Sequence, residues 1–448
     1  MRQVTGEVPT RGSVRPVWFD GFVLGVSAFV VFAATAAYHD PLNNDTRATA
    51  IAAWQLALHG NSTLTAFHGH FVWLFTVGGR DVTNRLPGTI LWATPFYRLL
   101  GAPSSPSVFP GALAACAASA VAIGVTFALC CRIVSRHVAV VAALLLAFAT
   151  GTWTVSAKQL WTHGPAQAAV LLAVLCCSNR RWLLAGIPAG FAILVRPHLG
   201  IVAVVLGVVA AIHERRVRPL LISVGSAMGL GILLVYNHDL WHSWSVFGGY
   251  RELAPASRHV VGDFAEGIVG IFVSPERGML IMTPAMLLLL PGIRGGWRAA
   301  PSWVRSSALA GAAYLLEQLW VSRFSGGNGF YSYRTTLESL TLAVPLLVLA
   351  WREWTAKTRV RRTAFAGLAA ASVALHAFGA VVNWVPGGTA HSPWTTYLPV
   401  DLAHHIGPAQ TGGWLAATVV AVVMAMIVSW RHPLQADALP IPTQVEAA

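Results

Sequence analysis

Eight ionisable residues stand where they invite chemistry: Asp40 and Asp45, the arginines Arg85, Arg196, Arg277 and Arg334, and the pair Lys158 and His163. Asp45 lies in the run Asn44-Asp45-Thr46-Arg47-Ala48, ahead of a pattern in which Ile51, Trp54 and Leu58 recur at helical spacing and which stops at His59-Gly60. The spacing predicts a short amphipathic helix lying on a membrane surface, with Asn44 or Asp45 at its N-terminus and Gly60 at its C-terminus. A carboxylate there sits in the favourable field of the helix dipole and can accept a proton. Aspartate is also a favoured N-cap, and that job alone would explain it. Arginine grips phosphate oxygens two at a time and stays charged, so the four arginines suit an anionic group. Each has a plainer reading as well. Arg196, in the turn Leu194-Val195-Arg196-Pro197-His198, could snorkel or bond backbone carbonyls. Arg277 could pair with Glu276, and Arg334 with Glu338 four residues on.

The histidines His68 and His70, His238 and His242, and His404 and His405 suggest metal ligands, but no carboxylate accompanies them in a fixed pattern. No metal and no cofactor is expected. Trp73, Trp161, Trp241, Trp244, Tyr250, Tyr331 and Trp394 read chiefly as an interfacial belt, with a minority free to stack on a sugar. The five cysteines fall in or beside apolar runs and outline no disulfide or zinc framework.

The elements that must position these groups are membrane helices. Of 448 residues, 55% are hydrophobic and only 10% are charged, against about 25% charged in soluble domains. That excludes an ordinary soluble enzyme. The net charge of +13 would suit nucleic acid, but 19 of the 30 basic residues sit in alternate short gaps between apolar runs, the signature of cytoplasmic loops. Those gaps carry Arg132 and Arg136, Arg180 and Arg181, Arg215 to Arg218, Arg294 to Arg305, and Arg352 to Arg362. The apolar stretch after Arg15 resembles a signal peptide but is long enough to be a retained first helix.

This phase gives twelve spans within a range of eleven to thirteen, all α-helical, in one integral membrane domain over 1–448 with both ends inside. The stretch Pro87–Leu100 is too short to span and is expected to be re-entrant or interfacial. The expected outer segments include a first loop over 38–86 that carries the Asp45 helix, a second loop from Gly151 to His163, and a loop over 237–277. Residues 431–448 form a flexible cytoplasmic tail.

Several runs, in order, resemble the GT-C superfamily of membrane glycosyltransferases, which includes protein O-mannosyltransferases and the lipid A aminoarabinose transferase. Asn44-Asp45-Thr46-Arg47-Ala48 is similar to the Asp-Glu-Thr-Arg-Tyr-Ala motif after that family's first helix. Asn84-Arg85-Leu86-Pro87-Gly88 resembles the basic, Pro-containing end of its first loop. Ser274-Pro275-Glu276-Arg277-Gly278-Met279-Leu280 and Gly326-Gly327-Asn328-Gly329-Phe330 through Tyr333-Arg334 resemble two later stretches. The chain departs from the pattern where Asn44 replaces the first acid and where no acid lies between Gly151 and His163.

The resemblance implies an inverting transferase on the outer face of the inner (plasma) membrane, moving a sugar from a polyprenyl-phosphate donor to a lipid-linked or cell-wall glycan or to a protein. Asp45 would be the base, with Asp40 as the nearest substitute. Arg85, Arg196, Arg277 and Arg334 would bind the donor phosphate, with Lys158 and His163 as further polar candidates. The expected partners are the donor, the acceptor and membrane lipid, and no nucleic acid. Two rivals remain: a transporter or flippase of lipid-linked saccharides, and an oligosaccharide polymerase or ligase.

Overall fold

The computed structural model describes residues 16–39, 43–69, 73–102, 104–250, 261–275, 277–321 and 329–381. Asp40, His70, Glu276, Trp394, His404, His405, the expected span Gly413–Trp430 and the tail 431–448 lie outside the described residues.

Helices dominate: α1 Val17–Thr35, α2 Asn44–His59, α3 Pro87–Leu100, α4 Phe109–Cys130, α5 Arg136–Phe148, α6 His163–Ser178, α7 Trp182–Val195 and α8 Gly200–Glu214. They continue with α9 Ile222–Trp241, α10 Val261–Val273, α11 Met279–Met282, α12 Ile293–Ala299, α13 Ser302–Val321, α14 Leu337–Glu353 and α15 Arg359–Val381. Among the described residues five helical segments are long and apolar enough to cross a membrane: α1, α4, α15, and α8 and α9 each with the tight turn before it. α5, α6 and α7 are apolar but shorter. The protein is an all-α polytopic membrane protein.

The expected span Gly278–Ile293 is broken. After α11 come two 3-10 turns, Pro284–Leu288 and Leu290–Gly292, before α12 begins. Pro284 and Pro291 each remove a backbone donor, so an unbroken ladder cannot form across them. The second outer segment is not an open loop either. It contains a π-helical turn, Thr152–Ser156, and every residue from Gly151 to Trp161 is buried.

Lipid supplies no hydrophobic drive between helices, so small residues bring them together. A Cβ on Gly186 of α7 would come within 2.7 Å of the Ile222 carbonyl, and one on Gly225 of α9 would meet the Gly186 carbonyl at 2.7 Å. The same device joins α1 to α4, where a Cβ on Gly124 would meet the Gly21 carbonyl at 2.7 Å. Outward-facing Trp18, Phe22, Ile187, Ile212 and Val235 remain exposed, as lipid-facing side chains should.

The links α4 to α5, α6 to α7, α8 to α9, and α14 to α15 carry the arginines of the basic gaps, and they define one pole. The first loop lies at the other. There α2 is covered on most sides by the chain itself: Ala48 to Trp54 and Ala57 are all buried. A hairpin follows that the sequence reading lacked, pairing β1 (Leu74–Val77) with β2 (Arg80–Thr83). Gly78 and Gly79 turn it with φ of 57° and 77°, the left-handed pair that a two-residue turn demands. α3 then packs against α2 and ends by Gly101, too short to span, as expected.

Candidate active site

The N-cap of α2 is Asn43, not Asn44 or Asp45. Its side-chain oxygen accepts the Asp45 backbone N–H at 2.7 Å. With Asn43 capping the helix, the Asp45 carboxylate faces two arginines instead. Arg85 Nη1 donates to Oδ1 at 2.8 Å, and Arg334 Nη1 lies 3.6 Å from Oδ2. The carboxylate keeps 24% of its side-chain exposure, so the cluster opens onto accessible space.

The two arginines are held differently. Arg85 Nε donates to Asn84 Oδ1 at 2.9 Å, and its guanidinium lies over the rings of Tyr250 (5.0 Å) and Trp73 (5.6 Å). At 6% exposure it is nearly sealed. Arg334 is 19% exposed, and among the described residues its ion pair is the longer contact to Asp45. It rests on Trp161 at 4.7 Å and Phe330 at 4.8 Å. Removal from water pushes the Arg334 guanidinium down to about 10 while Asp45 pulls it back up, so it stays charged at neutral pH. Arg277 shares the Phe330 ring, at 4.5 Å, and thereby joins the cluster.

Backbone placement explains this convergence. Gly88 opens α3 directly against the end of α7, where a Cβ would lie 2.5 Å from the Val195 nitrogen, and this sets Arg85 beside the Arg196 turn. The segment before α14 is pinned at successive residues: Thr154 donates to the Tyr331 carbonyl at 3.1 Å, Ser332 Oγ meets His376 Nε2 at 3.0 Å, and Thr283 meets the Tyr333 hydroxyl at 2.8 Å. Ser332 takes a φ of 77°, a strained conformation for a residue with a Cβ, two residues before Arg334 turns toward Asp45.

Arg334 does not pair with Glu338, as its i,i+4 spacing had suggested. Glu338 Oε1 accepts from Arg196 Nη1 at 3.2 Å and from His163 Nδ1 at 2.9 Å, while Arg196 Nη2 donates to Gln318 at 2.8 Å. Arg196 Nη1 also lies 3.0 Å from His163 Nδ1, since both groups approach the same carboxylate oxygen. Arg196 thus neither snorkels nor bonds carbonyls, and His163 belongs with it.

Lys158 goes elsewhere. Its buried ammonium donates to the carbonyls of Thr35 at 2.5 Å and of Ala380, clamping the end of α1 to α15. Next to it, Gln159 donates to the Ala37 carbonyl at 3.1 Å and accepts from Thr46 at 2.9 Å, so this segment braces the start of α2. His68 faces Asp81 at 3.1 Å, and His238 stacks on Trp244 at 4.2 Å. Among the described residues no three His, Cys, Asp or Glu side chains gather as metal ligands do.

Sequence reasoning missed Glu338 as the partner of Arg196, missed Gln318 altogether, and named Asn84 within a motif but not as the partner of Arg85. It assigned Trp73, Trp161 and Tyr250 to a belt, whereas their rings carry the arginines. An arginine at membrane depth needs a countercharge, and that rule could have flagged Glu338 as the nearest intramembrane acid.

No family model and no curated protein matches the chain. Among solved structures it is similar to the crystal structure of ArnT from Cupriavidus metallidurans in the apo state, with 15% identity and a TM-score of 0.48, over 92% of this chain and 77% of that one. It is also similar to the archaeal oligosaccharyltransferase AglB from Archaeoglobus fulgidus in complex with an inhibitory peptide and a dolichol-phosphate, with 12% identity and a TM-score of 0.44. That match covers 90% of this chain, which spans 56% of the AglB chain.

Proposed function

We propose that the chain is an inverting membrane glycosyltransferase that moves one sugar from a polyprenyl-phosphate donor to a hydroxyl of a glycan, lipid or protein acceptor on the outer face of the membrane. The observation that carries this reading is the Asp45 carboxylate bridged by Arg85 and Arg334 at the pole opposite the basic loops. The ordered motifs that resemble the GT-C superfamily support it.

Asp45 takes the proton of the acceptor hydroxyl as its oxygen forms a bond to the sugar C1. The C1–O bond to phosphate breaks on the opposite face, and its electron pair leaves with the phosphate. Positioned proton transfer of this kind contributes about 10² to 10⁴-fold. The phosphate goes from one negative charge in the diester to two in the departing monoester. Arg85, Arg196, Arg277 and Arg334 against Asp45 and Glu338 leave a surplus of two positive charges to meet it.

Within this scheme Arg85 orients the base, because its own hydrogen bonds and rings fix it. Arg334, more exposed and less tightly bound, is the donor ligand that can move from Asp45 to phosphate. Arg277, on the same ring, completes the cradle.

The test is transfer itself. The full chain in lipid nanodiscs, given labelled polyprenyl-phosphate sugars and a lipid extract as acceptor, should release polyprenyl phosphate and a labelled product. Movement of intact donor between leaflets of proteoliposomes, with no such product, would replace this reading with transport.

A further inference from the structure

Behind the Asp45 cluster a second charged group is closed off where α6, α7, α13 and α14 meet. Glu338, in the first turn of α14, has no solvent exposure and is engaged through Oε1 alone, by Arg196 at 3.2 Å and His163 at 2.9 Å. Stability does not account for it, since replacing a buried ion pair by apolar side chains of similar volume is often neutral or favourable. Leu342, one turn further along the same face of α14, is a buried leucine already, so this helix face is compatible with apolar filling.

Two features point to another use. Arg196 keeps 15% side-chain exposure, so its side chain is not sealed as that of Glu338 is. Glu338 Oε2 and Gln318 Nε2 have no hydrogen-bond partner among the described residues. Arg196 can therefore swing from one carboxylate oxygen to the other and stay paired throughout. Arg334 and Glu338 also lie only four residues apart, Arg334 in the segment that leads into α14 and Glu338 in its first turn, so a single short stretch sets the separation of the Arg334 and Arg196 guanidinium groups.

We propose that Glu338 is a positioning residue for the donor phosphate, acting through Arg196, which it holds as a pivoting ligand. This rests on the transferase reading above and deepens it. Simple electrostatics and positioning predict opposite signs for one experiment. Removing a negative charge beside an anion site tightens anion binding by Coulomb's law, whereas loss of a positioning group weakens it.

The experiment measures binding of a polyprenyl monophosphate without sugar, and sugar transfer, by the full chain in nanodiscs. Glu338→Gln should weaken binding about tenfold or more and lower kcat, since small misplacement of a catalytic array can cost about 10²-fold. Glu338→Asp, which keeps the charge, should recover part of both. In an Arg196→Lys background Glu338→Gln should add nothing. Should Glu338→Gln not fold, Gln318→Met removes the Nη2 acceptor at similar volume and should likewise weaken binding without adding to Arg196→Lys.

Unchanged or tighter binding, or effects that add to Arg196→Lys, overturn the proposal. Coupled binding in a protein that transfers no sugar leaves it standing and removes the transferase reading. Transfer without coupling does the reverse, and no binding by the unmodified protein removes both.

Discussion

Asp45 and Glu338 are built from the same parts, a carboxylate with two basic partners, and they differ in exposure: 24% for Asp45 and none for Glu338. At Asp45 one partner is fixed at 2.8 Å and the other stands off at 3.6 Å. At Glu338 both partners crowd one oxygen at 3.2 Å or less. A carboxylate that must take a proton from an incoming hydroxyl needs access and a partner that can leave. One that must hold an arginine in place needs neither. On the proposed reading, accessibility rather than residue type separates the reacting acid from the positioning one.

The sharpest way to break that contrast is Asp45→Asn. Because Asn43 caps α2 and is untouched, the helix should persist while turnover falls by about 10² to 10⁴-fold. Membranes carrying this variant that transfer labelled sugar at near the normal rate would reduce Asp45 to an arginine anchor.

The two partners of Asp45 should then part company. Arg334→Lys loses the planar fork and should cost roughly 10²-fold in kcat with the fold intact, the range for losing one charge-stabilising donor. Arg85→Gln, which also frees the base it orients, should in addition cost folding stability, by about 2 kcal/mol. That is less than the 3–5 kcal/mol for breaking a fully buried pair, because Asp45 is partly exposed. Equal loss of folded protein in both variants, measured by thermal unfolding in detergent, would erase the distinction between them.

Much of this was legible in the sequence, for reasons that can be named. Helical spacing and the alternation of arginine-rich gaps revealed the membrane helices, and Gly60 marked the end of α2, with its φ of 69° as a C-terminal stop requires. Local spacing misled where tertiary partners decide. Arg334 and Glu338 sit four apart, yet each turns to a residue well over a hundred positions away in sequence, because a buried charge seeks the best desolvated partner rather than the nearest one. The cap fell one residue early at Asn43, and Lys158 went to two carbonyls, since the burial of the Gly151–Trp161 segment depends on α1 and α15 closing over it.

A smaller effect belongs to the hairpin. The Thr76 hydroxyl, donating to Asp81 at 2.5 Å, holds that carboxyl below its ordinary value of 3.8, with His68 adding to the effect. A depressed carboxylate stabilises the fold above its unfolded-state value and loses that contribution as pH falls through the folded-state value. Exchange of the β1 and β2 amides should therefore quicken below about pH 4, and Thr76→Val should shift the onset to higher pH. An onset unmoved by that substitution would assign the acid sensitivity to another group.

No effect at all is expected from chelation. Asp45 is taken up by two guanidinium groups, and a hard divalent cation prefers oxygen ligands that this cluster does not offer. Transfer abolished by EDTA and restored by Mg²⁺ or Mn²⁺ would mean that acids beyond the cluster fold over it.

Gly88 makes the two regions mechanically one. With its missing Cβ held 2.5 Å from the Val195 nitrogen, the start of α3 and the end of α7 behave as a single joint. Any larger side chain there would act as a wedge, prising the Arg85 strap away from the Arg196 turn and widening the gap that the proposed donor phosphate would bridge, without altering one charged group. Position 88 is thus a gauge block: it sets the bore of the site, and a catalytic defect introduced there could be cured only by removing the wedge, never by supplying more charge.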